Sequence, residues 1–235
     1  MKSDIDNDLL SGCRNVASDR SRVYGFLGVA YYLPSEDVVG VLKGPSGREI
    51  VDNIREIYLV TPDFSKMLDE LRETMTSLDN LLELQIEYTR LFIGPFHVPA
   101  SPYESVYRPG SGGRVMGEST IRVREMYLSE GLDLSGSVRD LPDHLIAEME
   151  FMSYLAGQEA LAWGKDPART LSCIRKQEAF IDEHLQQWIP KFSAAVCNNA
   201  RSEFYRLIAE ITRRIVSLDR DYVKAVRISL ERGDI

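Results

Sequence analysis

The stretch Phe64-Ser65-Lys66-Met67-Leu68-Asp69-Glu70-Leu71-Arg72-Glu73-Thr74-Met75-Thr76-Ser77-Leu78 decides the fold class. Its apolar residues, Phe64, Met67, Leu68, Leu71, Met75 and Leu78, recur in steps of three and four and line one helical face. The pattern continues in both directions. Upstream, Ile50, Ile54, Ile57 and Tyr58 mark a helix that stops at Thr61-Pro62. Before it, Val23, Phe26, Leu27, Ala30 and Tyr31 form a helix ended by Pro34, and Ser35 caps a short one through Leu42, ahead of a turn at Gly44–Gly47. Downstream, Leu81, Leu84, Tyr88, Leu91 and Phe92 share a face. Helix resumes from Thr120 to Glu130, and a loop from Leu132 to Leu141 leads into a helix beginning near Pro142. Asp166-Pro167 reads as a cap followed by proline at the first helical position. Leu171, Ile174, Ile181, Leu185 and Trp188 then share a face until Pro190, and Phe204, Leu207, Ile208, Ile211, Ile215 and Leu218 line the last long helix. No period-two strand of useful length interrupts them. The expectation is an all-α chain, a single large domain of about ten helices.

Regular periodicity fails from Gly94 to Gly113, where four prolines and four glycines fall. A segment that long without structure is usually functional or a linker. The sequence therefore reads as a helical domain over residues 18–230, with lobes at 18–93 and 117–230 joined by a loop at 94–116. Residues 1–17 read as a mobile N-terminal segment, and the last five residues as frayed. A loop of this kind permits exchange of lobes, so monomer or exchange dimer are the expected states.

The 235 residues carry a formal net charge of −8, with 44% hydrophobic and 27% charged residues. That composition is ordinary for a globular protein and speaks against nucleic acid as a partner, since no basic cluster dominates. No basic region precedes an apolar run at the N-terminus, so no secretory signal is expected, and no apolar stretch approaches a membrane span. Cys13, Cys173 and Cys197 are odd in number and lack Cys-x-x-Cys spacing, which suits reduced thiols in a cytoplasmic protein.

Two segments mix aromatic and ionisable side chains at junctions of helix and loop. One holds Glu87-Tyr88, Leu91-Phe92, Pro95 and then Pro102-Tyr103-Glu104-Ser105-Val106-Tyr107; the other is Leu141-Pro142-Asp143-His144 through Glu148 to Met152. Tyr88 and Phe92 lie on one helical face, an arrangement more common in cores than in sites. Tyr103 and Tyr107 sit among prolines, where they either plug the loop or present an apolar platform with hydroxyl handles. Glu104 beside them must be solvated or paired. Asp143 reads either as a helix-start carboxylate, with Asp140 as cap, or as a charge facing a groove. His144 and Glu148 stand four apart, as helix-borne metal ligands do, but a full ligand set is missing. A metal-dependent hydrolase using His144 and Glu148 is the alternative function. No nucleophile elbow surrounds Ser105, and Gly110-Ser111-Gly112-Gly113-Arg114, though suited to an anion, lacks the ending of a P-loop and reads as a hinge.

In order, Glu87-Tyr88-x-x-Leu91-Phe92-x-x-Pro95, Pro102-Tyr103-Glu104-Ser105-Val106-Tyr107, Pro142-Asp143-His144-x-x-x-Glu148-x-Glu150-Phe151-Met152 and Phe180-x-x-x-His184-Leu185-x-x-Trp188-x-Pro190-x-Phe192 resemble the TorD/DmsD family over residues 18–218. Ser101 departs from the family pattern, where a second proline is common, as do Tyr88 and Tyr103, where some members have Trp. The resemblance implies an all-helical cytoplasmic chaperone that is not an enzyme and has no cofactor of its own. Its partners would be the twin-arginine signal peptide and the catalytic subunit of a molybdopterin-dependent reductase or dehydrogenase, held until cofactor insertion. It also implies that Pro142, Asp143, His144, Tyr103 and Tyr107 contribute to peptide binding. A twin-arginine leader offers two guanidinium groups and an apolar stretch. Asp143, Glu104 and Glu148 have the charge to pair with the first, and Tyr88, Phe92, Tyr103 and Tyr107 the surface for the second.

Overall fold

Helix α1 (Lys2–Ala30) and helix α8 (Leu145–Ala162) lie along one another. In this computed structural model the described residues are 2–95, 97–132 and 141–235. Among them are α2 (Glu36–Lys43), α3 (Pro45–Ile57), α4 (Pro62–Thr76) and α5 (Leu81–Tyr88), the last running into a π turn at Thr89–Ile93. Then come α6 (Glu104–Tyr107), α7 (Glu118–Ser129), α8, α9 (Pro167–Phe180), a second π turn (Ile181–Leu185), α10 (Gln186–Asn199) and α11 (Glu203–Arg232). The described residues hold no strand, only an isolated bridge between Tyr103 and His144.

The capping expectations at Ser35 and Asp166 hold: Ser35 accepts from the Val38 amide and Asp166 from that of Arg169, with Pro167 opening α9. Other boundaries move. The segment 1–17 enters α1 from Lys2 onward. The turn expected at Gly44–Gly47 is the start of α3, which Pro45 opens. Pro190 does not end its helix but lies inside α10, in the turns just after the second π turn. The loop expected at 132–141 and the cap expected at Asp140 fall largely outside the described residues.

Small residues bring α1 and α8 together. A side chain on Gly28 would meet Met149, and one on Gly157 would meet Ser21. Ser21 and Ser153 exchange hydroxyl bonds to each other's backbone carbonyls at 2.7 and 2.8 Å. One continuous apolar core, running from Val23 to Val223, draws on both sides of the 94–116 segment. Each large side chain fully withdrawn there contributes about 1.5–3 kcal/mol.

Inside this core Arg20 is completely buried. Its guanidinium donates to Asp219 (2.6 and 3.0 Å), Glu159 (2.7 Å) and Gln177 (2.5 Å). Tyr24 and Tyr58 complete Asp219, and Trp163 and Gln177 complete Glu159. The network ties α1, α3, α8, α9 and α11 with every charge partnered, the condition under which buried ions are tolerated.

Candidate functional site

The irregular segment after the first π turn is pinned at several points. Gly94 turns the chain at φ +52°, and a Cβ there would lie 2.2 Å from the His97 carbonyl, so only glycine fits. The Ala100 amide donates to the Leu91 carbonyl. The chain then pairs with the entrance to α8: the Glu104 amide donates to the Asp143 carbonyl at 3.0 Å and the Leu145 amide to the Pro102 carbonyl at 2.8 Å. Asp143 Oδ2 accepts from the Ser105 amide at 2.9 Å. Asp143 therefore does not cap α8. That role falls to His144, whose Nδ1 accepts from the Ile146 amide, and Asp143 fastens the 102–107 strap instead.

This pairing drives acidic side chains inward. Glu104, Asp143 and Glu148 are all 0% exposed. Glu104 Oε2 lies 2.9 Å from His184 Nδ1, and Trp188 Nε1 donates to Glu148 Oε2 at 2.9 Å. Arg108 approaches Glu104 Oε1 from the partly exposed side at 3.4 Å, an ion pair without hydrogen-bond geometry. Burial, with the Glu104 carboxyl next in effect, pushes Glu148 well above the usual carboxylate range. A proton kept on Glu148 lets it donate to Glu104. Asp143 Oδ1 and His184 Nε2 have no hydrogen-bond partner among the described residues.

Aromatic side chains wall the cluster. Tyr107 stacks on Trp188 with centroids 5.7 Å apart, and Tyr103 meets His144 edge-on at 4.9 Å. Tyr127, its hydroxyl raised above the ordinary range by burial and then by these carboxyls, donates to the Pro142 carbonyl. Tyr88 and Phe92 stand apart from this wall. They are buried in a cluster with Tyr31, Phe192 and Tyr205, so they back the site rather than face it. Pro95 is exposed, and Ser105 is buried on the strap.

The structure thus gathers Tyr103, Glu104, Ser105, Tyr107, Pro142, Asp143, His144 and Glu148, and leaves Tyr88, Phe92 and Pro95 outside the cluster. The metal reading gains nothing from the geometry. His144 spends Nδ1 on its own helix and Glu148 turns to Trp188. Among the described residues no group of His, Cys, Asp and Glu is placed to hold a metal ion. Sequence reasoning missed His184 and Trp188 as site residues. Their signal was present: four apart, they continue the face begun by Phe180 and extended by Phe192.

Residues 59–194, a span that contains this whole site, match the family model described as the nitrate reductase delta subunit. The chain belongs to that family. The TorD/DmsD resemblance read from its motifs is borne out. The chaperone protein TorD of Vibrio cholerae is 21% identical over 202 residues, covering 86% of this chain and 90% of the relative. A perchlorate reductase assembly chaperone protein of Dechloromonas aromatica is 26% identical over 207 residues, covering 84% and 86%. A solved structure assigned as a redox enzyme maturation protein from Archaeoglobus fulgidus aligns with a TM-score of 0.52 at 24% identity, over 84% of this chain and 93% of that one, and shares the fold. No helix among the described residues is long and apolar enough to cross a membrane.

Proposed function

We propose that this protein is a cytoplasmic assembly chaperone for a molybdenum-cofactor reductase or dehydrogenase, and that it grips the client's twin-arginine leader until the cofactor is in place. One observation carries the reading: three fully buried carboxyl groups, Glu104, Asp143 and Glu148, gather beneath the strap with no buried lysine or arginine among them, Glu104 resting against the His184 imidazole. Closed, the cluster keeps a proton on Glu148 and leaves Asp143 Oδ1 unsatisfied, an arrangement costly to stability. A guanidinium pair is the ligand that matches it, because arginine stays charged and offers several donors in a fixed fork.

Entry requires the 102–108 strap to lift from α8 and α10. Its outer contacts include the rings of Trp188 and Phe192 against Tyr107, the Lys191 ammonium on the Tyr107 carbonyl, and Arg108 on the Glu183 carbonyl. Lifting it exposes Tyr103, Tyr107 and Trp188 together, a surface for the leader's apolar stretch, with Pro142 and His144 at its edge.

The test is a titration of a synthetic leader against its twin-lysine version. The arginine leader is expected to bind at least tenfold more tightly, because lysine offers no fork for paired carboxylates. Equal affinities would remove the carboxyl cluster from the recognition.

A further inference from the structure

The strap carries its own cation. Arg108 follows α6 directly and stands four residues after Glu104, on the same side of that turn. Its Nη1 lies 3.4 Å from Glu104 Oε1 and donates to the Glu183 carbonyl, in the second π turn, at 3.1 Å. One guanidinium therefore ties the strap to the second π turn while resting on the strap's own buried carboxyl. The Arg108 side chain is 26% exposed and that of Glu104 0%, so Arg108 comes to the cluster from the solvent side. Among the described residues no lysine and no second arginine pairs with Glu104, Asp143 or Glu148.

This contact has the charges of an arginine–carboxylate pair without its geometry. Glu104 Oε2 is taken by His184, and Oε1, close as it is to Arg108, has no hydrogen bond. Guanidinium pairs hold best through well-formed hydrogen bonds to the carboxylate, and Arg108 makes its bond to the Glu183 carbonyl instead. A pair four residues apart with one partner at the surface is weak. What keeps it in place is connection, because two groups on one short strap meet at a high local concentration.

We propose that Arg108 is an autoinhibitory latch: it stands in for an arginine of the client, covers the outer oxygen of Glu104 and keeps the strap closed until a leader guanidinium displaces it. What displaces it rests on the leader reading above; the latch itself does not. A leader arginine that makes the hydrogen bonds Arg108 lacks replaces a poorer pair with a better one. A lysine or a lone weak cation has less to set against the tethered competitor, so the latch also adds selectivity. The consequence runs against the usual effect of deleting a residue beside a site: loss of Arg108 strengthens leader binding.

The test has one arm without the leader and one with it. In the free full chain, hydrogen exchange is followed at the amides of Glu104, Ser105 and Leu145, which close the strap onto residues 102 and 143. Arg108→Ala should speed their exchange at least about threefold and leave the middle of α8 unchanged. Millimolar methylguanidinium should restore the protection, and methylammonium should not. Arg108→Lys, which keeps the charge but not the fork, should fall between. In the second arm a twin-arginine leader is titrated, and Arg108→Ala should bind it at least about threefold more tightly than the parent. Arg114→Ala removes the same charge from an exposed arginine whose side chain bonds the Ser111 carbonyl, and should change neither readout. Unaltered exchange in Arg108→Ala, rescue by methylammonium as good as by methylguanidinium, an equal gain in Arg114→Ala, or a leader bound no more tightly without Arg108 would each overturn the latch. A strap that loosens and is restored by methylguanidinium, in a protein that binds no leader with or without Arg108, would uphold the latch and remove the leader reading.

Discussion

Glu148 sits where function and stability pull apart. Its carboxyl is wholly buried, with Trp188 as its one neutral donor and Glu104 and Asp143 as acidic neighbours, so the folded protein favours the protonated form. The sign for stability follows. Below the ordinary carboxyl value of 4.5 both folded and unfolded chains hold this proton; as pH rises above it, the unfolded chain releases the proton and the folded chain keeps it. The Glu148 contribution to stability therefore falls with rising pH until the folded carboxyl also ionises. Glu148→Gln removes that loss, since an amide keeps an acceptor for Trp188 and gains a donor toward Glu104. Melting curves from pH 5 to pH 8 are expected to show the variant gaining steadily on the parent as pH rises. A gap that stays constant or shrinks with pH would place the retained proton elsewhere.

At the scale of elements, the strap hangs between the first π turn and α8, and Gly94 sets its starting direction. Gly94→Ala asks an L-residue to hold φ +52° with its Cβ against the His97 carbonyl. The expected cost is about 1–3 kcal/mol for the backbone alone. Urea unfolding would measure it, and a loss no greater than that of Gly40→Ala, where a Cβ meets nothing, would contradict the assignment. Most helices were legible because their apolar steps of three and four are uninterrupted, as in α4 and α11. The first half of α1 was not, because Asp, Asn, Ser and Gly dilute the pattern between Ser3 and Gly12 and leave little periodicity to read. Pro190 misled for a different reason: proline is the residue a helix interior tolerates least, yet here it lies inside α10. In the site, the residues Glu104, Asp143 and Glu148 were legible but their burial was not. A carboxylate next to tyrosines reads as surface until His184, Trp188 and the backbone pairing of residues 102–105 with 143–145 supply partners from distant parts of the chain.

Across the whole molecule, two buried polar networks have opposite states. Around Arg20 each charge is matched, and five helices depend on the match. Arg20→Met would leave Asp219 and Glu159 buried beside each other without their cation. The expected cost is about 3–5 kcal/mol, a drop in Tm on the order of 10 °C, seen as one cooperative transition. A small loss would mean that the network adds nothing to the packing around it. The carboxyl cluster beneath the strap is only partly matched, with Glu104 on His184 and Arg108 but Asp143 Oδ1 without a partner among the described residues, and the proposed function gives that acidic surplus a cationic ligand to meet.

The affinity of a twin-arginine leader peptide for Glu148→Gln, measured by titration beside the melting temperature of the same sample, tests this most directly. Binding of two guanidinium groups needs Glu148 ionised, and the amide cannot ionise. The account predicts an affinity lower by roughly ten- to a hundredfold, about 1.5–3 kcal/mol for one lost charge-assisted contact, in a protein that melts higher than its parent. Because the fold is strengthened, unfolding cannot imitate that result. Undiminished leader affinity in the stabilised variant would contradict the account, leaving the buried carboxyl groups as structure alone.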